Sequence, residues 1–178
     1  MTVPEFSRPV RVDTLGAAPR ILSIEADEGE RAALAKRFGF VSITRLTAEA
    51  ALTGSGGAVS ARGTLSAALA QSCVATGEPV EEMVEEAFAI EFRPHPQGLS
   101  AEEEVELSHS ELDIVFYDGA MIDVGEAVAE TLSLSVEPYP RSAKAADALR
   151  EAGVRSEEEA AREASPFAAL KDKLNPAG

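Results

Sequence analysis

Hydrophobic side chains recur at every second position along the middle of the chain, which is the spacing of strands with one buried face. Residues 41–52 follow this period, and a change of parity near residues 44–45 predicts a β-bulge. The glycine-rich residues 53–58 predict a hairpin turn, after which the same period runs over residues 59–73. We therefore predict two long antiparallel strands, the second of which places Cys73 on its buried face.

A third alternating run, residues 80–92, follows a turn that Gly77, Glu78 and Pro79 predict. Together the three runs predict a β-meander. Residues 80–88 also fit the spacing of an amphipathic helix, so the first half of the third run stays open between strand and helix.

Two helices are predicted from their capping residues. Asp27 can cap the first, with Glu30 three positions later completing a capping box and Gly39 suited to its end. Asp123 can cap the second in the same way. Both helices carry an apolar stripe. Its members are Leu34 and Phe38 in the first helix, and Val124, Ala127, Val128, Thr131 and Leu132 in the second.

Alternating strands followed by separate helical stripes, without regular strand and helix alternation, indicate an α+β fold. We predict an antiparallel meander, or partly closed sheet, with the 27–38 and 124–134 helices packed on it. A short apolar run at residues 113–117 predicts a further strand.

The predicted organisation is one domain with a tail. Residues 1–140 form a single α+β domain, in which residues 95–112 are rich in proline, glycine and acidic side chains and predict a loop. Residues 141–178 form a short helical tail that begins with a helix at residues 143–152. The last predicted helix, opened by Ser165 and Pro166, carries an apolar stripe of Phe167, Leu170 and Leu174.

The composition and charge of the chain limit the cellular compartment and the binding partners that we expect. A single cysteine excludes an intramolecular disulfide, and no window of the sequence has an apolar run of membrane-spanning length. We expect no signal peptide, because residues 1–12 hold no apolar run that could serve as one. We therefore expect a cytoplasmic protein without a membrane partner.

The net charge of -15 comes entirely from residues 61–140, which hold two Lys/Arg and seventeen Asp/Glu. Residues 1–60 and residues 141–178 are each balanced, with seven Lys/Arg and seven Asp/Glu. Such an acidic surface either serves solubility or docks a basic protein.

Three sequence blocks follow one another along the chain, and their order is informative. They are QSCVATGEPVEEMVEEAFAIEFRP at residues 71–94, IDVGEAVAETLSLSVEPYPR at residues 122–141 and SPFAALKDKL at residues 165–174. This order resembles the YceD family of large ribosomal RNA subunit accumulation proteins over most of residues 15–174. The matching motif positions are Cys73, Glu78, Pro79, Asp123, Pro138, Pro140, Arg141, Pro166, Phe167 and Leu170.

The resemblance implies a non-enzymatic cytoplasmic factor that acts by binding, in the synthesis, processing or stability of large-subunit ribosomal RNA and in ribosome assembly. The implied partners are the large-subunit rRNA precursor, a basic ribosomal protein or both, with no small-molecule substrate. The form Pro-x-Pro-Arg at residues 138–141 resembles an alphaproteobacterial-type branch of the family.

The chain departs from many relatives in its cysteines. Those relatives carry Cys-x-x-Cys where this chain has Cys73 and Thr76, and a further cysteine where it has residues 141–143. A structural zinc site needs about four nitrogen or sulfur ligands. Because the chain offers only Cys73, His95 and His109, we predict no metal and no cofactor.

Two further interpretations stay open. Cys73 could be a thiol nucleophile that works with a histidine such as His95, which would make the protein a small cytoplasmic hydrolase or thiol enzyme, although a cysteine on a buried parity favours packing. Five basic side chains near the C-terminus could contact RNA phosphates or belong to an ordinary surface. They are Arg141, Lys144, Arg150, Lys171 and Lys173.

Overall fold

The computed structural model describes residues 4–95 and 113–155. Its strands are β1 (Pro9–Arg11), β2 (Arg20–Glu25), β3 (Ser42–Ser55), β4 (Ala58–Ser72), β5 (Pro79–Pro94), β6 (Asp113–Tyr117) and β7 (Met121–Asp123). Its helices are α1 (Glu28–Phe38), α2 (Val124–Ser135) and α3 (Ala145–Glu151). A turn of 3₁₀ helix, Val12–Thr14, follows β1.

The strands β2 to β6 form a five-stranded sheet in sequence order. Neighbours from β2 to β5 are antiparallel, which confirms the predicted meander. β5 pairs with β4 from Pro79 beside Ser72 to Phe92 beside Val59. This pairing decides the open choice for residues 80–88, which form a strand because each of them lies opposite a residue of β4.

β6 differs from the other strands because it runs parallel to its neighbour. It pairs with residues 90–94 of β5, so it covers only the last part of that long strand. The sequence predicts β6 at its observed position, residues 113–117. An apolar run of this length does not encode the direction of the strand.

Both irregularities predicted in the hairpin of β3 and β4 are present. The register shifts between Ile43 and Arg45, at the predicted bulge. Gly56 and Gly57 form the turn with φ angles of 60° and 89°. These left-handed conformations belong to the tight hairpin turn whose twist matches that of the strands, and glycine adopts them without steric cost.

The two main helices begin at the predicted caps. The Asp27 carboxylate accepts a hydrogen bond from the Glu30 N–H, and the Glu30 carboxylate accepts one from the Asp27 N–H, both at 2.8 Å. Gly39 ends α1 with a φ of 73°. The Asp123 carboxylate accepts from the Glu126 N–H at 3.1 Å. Each cap satisfies an N–H that the first helical turn leaves without a partner, which is worth about 1 kcal/mol.

One hydrophobic core lies between these helices and the inner face of the sheet. Leu34 of α1 and Val128 and Leu132 of α2 are fully buried in it. The strands contribute side chains from alternate positions, as the sequence predicts. These are Leu46, Leu52, Val59, Leu65, Leu69, Phe88 and Phe92. The arrangement confirms the predicted α+β fold.

The N-terminal segment closes one side of the core. β1 pairs with β7, and Phe6 before it is fully buried. Gly125, in the first turn of α2, permits this approach because a Cβ there would overlap the Phe6 carbonyl oxygen. The Arg8 guanidinium then donates two hydrogen bonds to the Glu30 carboxylate, at 2.6 and 2.8 Å, and one to the Glu25 carbonyl at 2.8 Å. Arg8 therefore ties the N-terminal segment to both α1 and β2.

The tail is described only at its start. α3 lies inside the predicted helix at residues 143–152, and Gly153 follows it with a φ of 79°. The predicted helices beyond residue 155, with Pro166, Phe167, Leu170 and Leu174, lie outside the described residues. No helix in the described ranges is long and apolar enough to cross a membrane.

Candidate interaction surface

The turn between β4 and β5 is closed by its own backbone. The Cys73 N–H donates to the Glu78 carbonyl at 2.8 Å, and the Gly77 N–H donates to the Cys73 carbonyl at 2.9 Å. Gly77 has a φ of 72°, which a side chain would strain. The predicted turn is present and depends on Gly77, whereas Pro79, which the sequence predicts to belong to the turn, is the first residue of β5.

The segment that follows α2 packs against this turn. The Val74 N–H donates to the Pro140 carbonyl at 2.9 Å. The Gln71 side-chain amide donates to the Glu137 carbonyl at 2.9 Å and to the Glu82 carboxylate at 2.8 Å, and that carboxylate accepts from the Glu137 N–H at 3.0 Å. Two motif blocks that are far apart in sequence thus meet at one end of the sheet.

Polar side chains complete the junction, which we call the turn cluster and define as Cys73, Thr76, Glu78, Ser142 and Lys144. The Ser142 N–H donates to the Cys73 Sγ at 3.2 Å, and the Thr76 and Ser142 hydroxyl oxygens lie 3.2 Å apart. The Lys144 Nζ lies 2.6 Å from the Glu78 carboxylate. The sequence reasoning did not identify Thr76 and Ser142 as partners, because their contact depends on the docking of residues 137–142.

The turn cluster changes the acidity of two of its groups. The Ser142 N–H and the Thr76 hydroxyl lower the pKa of the buried Cys73 from 9.0 to about 6, although burial of the sulfur opposes this change. The Lys144 ammonium lowers the pKa of Glu78. The Cys73 sulfur is therefore buried and accepts hydrogen bonds, and these bonds favour the thiolate over the thiol.

The cluster does not fit a structural metal. The groups closest to the Cys73 sulfur, in the two regions where the resemblance implies further cysteines, are the neutral hydroxyl of Thr76 and the N–H and hydroxyl of Ser142. Zinc prefers thiolate and imidazole ligands, and one thiolate is far below the usual four. Across the described residues no group of three or more His, Cys, Asp or Glu side chains could hold a metal ion.

The structure rules out a pair of Cys73 and His95. Cys73 lies beside Glu78 at the start of β5, whereas His95 follows Pro94 at its end. At about 3.3 Å per residue, the length of β5 separates them by roughly 50 Å. His95 instead stacks on the Phe116 ring, with centroids 5.3 Å apart. His109 lies outside the described residues.

The acidic excess of the described chain is concentrated on β5. Glu91 pairs with Arg93 at 2.8 Å, and Glu82 is held by Gln71 and Glu137. Three further carboxylates of β5 are exposed and have no ion pair in the part of the chain that the structure describes. These are Glu81, Glu85 and Glu86, and with the exposed Met83 we call them the acidic edge.

Two of the three candidate RNA contacts that the structure describes are engaged in ion pairs within the chain. Lys144 pairs with Glu78, and Arg150 pairs with Asp147 at 2.9 Å. Arg141 is exposed and makes no ion pair with the described residues. Lys171 and Lys173 lie beyond the described residues. Among the candidate cations that the structure describes, only Arg141 is therefore left without a carboxylate partner.

The protein is therefore an α+β domain in which the turn cluster lies at one end of the five-stranded sheet. The acidic edge lies next to it on β5. Residues 61–173 match the family described as large ribosomal RNA subunit accumulation protein YceD. The match extends over more than half of the chain, so the protein belongs to the YceD family. Neither the curated proteins nor the solved structures gave a match in the same comparisons.

Proposed function

We propose that this protein is a cytoplasmic factor that supports accumulation of large-subunit ribosomal RNA by binding rather than by catalysis. The family match over residues 61–173 carries this proposal, because the family's description refers to accumulation of that RNA and to no reaction. The surroundings of Cys73 support a binding role. Although its pKa is lowered, Cys73 is buried and its sulfur accepts hydrogen bonds from the Ser142 N–H and the Thr76 hydroxyl, whereas reactive cysteines are partly exposed.

The direct partner in this proposal is a basic ribosomal protein rather than naked RNA. The exposed carboxylates Glu81, Glu85 and Glu86 repel phosphates and attract a basic surface. Two of the candidate cations, Lys144 and Arg150, are already paired with carboxylates. The RNA precursor is then reached through the bound protein.

A cellular measurement tests the role itself. Deletion of the gene should lower the ratio of large-subunit to small-subunit ribosomal RNA, and expression of the full-length chain should restore it. A Cys73→Ala variant should restore the ratio as well as the wild type. A folded, soluble Cys73→Ala protein that fails to do so would favour the alternative thiol enzyme.

A binding measurement tests the partner. The purified protein should bind naked large-subunit rRNA weakly and should bind more in the presence of purified basic large-subunit proteins. Each phosphate contact adds about one unit to the slope of log affinity against log salt, so a shallow slope is expected for RNA alone. The matched control neutralises Arg141, Lys144, Arg150, Lys171 and Lys173. Tight, steeply salt-dependent RNA binding that persists in this control would exclude the proposed partner.

A further inference from the structure

One side of β5 has no neighbouring strand along most of its length. β4 pairs with the whole strand on one side, but β6 on the other side begins only opposite Ile90. Within residues 4–95 and 113–155, no strand pairs with residues 79–89 on that open side. An unpaired strand edge presents N–H and carbonyl groups that can bind another chain.

The hydrogen-bond phase of β5 determines which residues present those groups. Cys73 donates to Glu78, so this opposed pair is hydrogen-bonded, and such pairs recur at every second residue. The even-numbered residues from Val80 to Phe88 therefore direct their N–H and carbonyl groups to β4. The odd-numbered residues direct theirs to the open side, and among the described residues these groups have no hydrogen-bond partner. They are Glu81, Met83, Glu85 and Ala87.

A groove continues the open edge towards β6. It measures about 480 Å³ and lies between residues 86–89 of β5, Asp113 at the start of β6, and Thr131, Leu134 and Ser135 of α2. Leu134 is 85% exposed, so it offers apolar surface to a bound segment. Glu86 and Asp113 supply two negative charges in the groove, and Arg62 of β4, which also lines it, supplies one positive charge.

We propose that the open edge of β5, from Glu81 to Ala87, binds an extended basic segment of a partner protein as an added strand. Backbone hydrogen bonds provide register and affinity, as in other strand additions. The carboxylates of Glu81, Glu85 and Glu86 select for lysine and arginine. The proposal rests on the proposed function, since a basic ribosomal protein is the partner, and it adds the site and the mode of binding.

The competing occupant is the chain's own segment at residues 96–112. Charge argues against it, because this segment carries five glutamates that the acidic edge would repel. They are Glu102, Glu103, Glu104, Glu106 and Glu111. The experiment below separates this occupant from a partner.

Residue-resolved amide hydrogen exchange of the full chain provides the test, with a short peptide of alternating lysine and valine as the probe. In the free protein the amides of Met83, Glu85 and Ala87 should exchange rapidly, whereas those of Val84 and Glu86 should be protected by β4. The peptide should slow the first set by about tenfold or more, because each amide gains a hydrogen bond. A peptide of alternating glutamate and valine should leave both sets unchanged.

Substitutions at Met83 isolate the backbone contribution. Met83→Pro removes an N–H that faces the open side and leaves the bonds to β4 in place, so it should weaken peptide binding by about tenfold. Met83→Ala is the matched control, since it keeps the N–H and should bind nearly as well as the wild type. Unchanged exchange at Val84 and Glu86 would show that the proline variant is folded.

A charge variant tests the edge without any change to the backbone. Replacement of Glu81 and Glu85 by glutamine should weaken binding of the lysine peptide by about tenfold at low salt. The control is replacement of Glu25 and Glu49 by glutamine, because both lie on the same face of the sheet but on β2 and β3. Equal weakening by both pairs would overturn a specific role for the acidic edge.

The outcomes distinguish this inference from the proposed function. Slow exchange of Met83, Glu85 and Ala87 in the free protein would overturn the inference, because the edge would already be covered by this chain. Binding of basic ribosomal proteins without protection of these amides would also overturn it, while the proposed function stands. Protection by the peptide, without binding of any ribosomal protein, would support the edge and refute the proposed partner.

Discussion

The Cys73 sulfur is buried and accepts a hydrogen bond from the Ser142 N–H, a contact between residues 69 positions apart in sequence. Its position on the apolar parity of β4 predicts burial, and the side chain is buried. Its lowered pKa comes from Ser142 and Thr76, and Ser142 reaches the sulfur only through the docking of residues 137–142. A sequence pattern within one strand carries no information about such a contact.

The thiol can be titrated directly. The ultraviolet absorbance of the thiolate should give a midpoint near pH 6 in the wild type. Thr76→Val removes one hydroxyl donor with little change in volume, so the pKa of Cys73 should rise towards its ordinary value. Thr53→Val, on β3, is the control and should leave the midpoint unchanged. A wild-type midpoint at the ordinary cysteine value would contradict the described hydrogen bonds.

The same pKa difference makes stability depend on pH. The folded pKa of about 6 is below the ordinary 9.0, so between these values the unfolded chain binds more protons than the folded one. Folding stability should therefore rise with pH across this window, and the contribution should be absent below pH 6. The difference in urea midpoint between wild type and Cys73→Ala should follow this trend. A pH-independent difference would argue against a thiolate in the fold.

At the scale of an element, α2 contains both a core contact and a surface contact. Leu132 is fully buried against the sheet, whereas Leu134, two residues later, is 85% exposed. The helical period places these two leucines on different faces. Substitutions at Leu132 and at Leu134 can therefore be compared to separate the role of α2 in folding from its role at the surface.

Leu132→Ala should lower the free energy of unfolding by about 2 to 5 kcal/mol, because it removes buried methyl groups and leaves a cavity. Leu134→Ala should change it by less than about 0.5 kcal/mol. Urea unfolding of both variants measures these values. Similar losses in the two variants would mean that the groove beside Leu134 is not open.

The predicted stripe of Phe167, Leu170 and Leu174 allows a second test at this scale. A short amphipathic helix is marginal alone and needs a surface to cover its apolar face. Truncation after Ala164 should therefore reduce rRNA accumulation more than it lowers the melting temperature, because we predict that the stripe binds a partner. The triple alanine variant at these positions is the control for chain length. Equal loss of function and stability would identify the stripe as part of the core.

On the scale of the whole molecule, the charge of -15 acts over a longer range than any one contact. The association rate with a basic large-subunit protein should fall by about tenfold or more between low and high salt, since steering of this kind is screened. Stopped-flow measurement with the wild type and with the Glu81 and Glu85 glutamine variant gives both rates. A salt-independent rate would exclude steering by the acidic edge.

The sequence predicted the elements of this fold better than their assembly. Period-two alternation, the caps at Asp27 and Asp123, and the bulge before Arg45 are local features, and each is confirmed. The parallel direction of β6 and the turn cluster depend on contacts between distant residues. The acidic residues of β5 were visible in the sequence, but their place on an open edge follows from where β6 begins.

The pairing of β1 with β7 has a consequence for synthesis and folding. The Arg8 N–H donates to the Asp123 carboxylate across 115 positions of sequence, and β1 has no strand partner until β7 has been made. The local hairpins of β3, β4 and β5 close short loops and can form earlier. The core around Phe6 is therefore incomplete while most of the chain is made, because α2 supplies part of it. Residues 9–11 are therefore among the last in the described sheets to gain their native pairing, although they precede nearly all of their neighbours in the sequence.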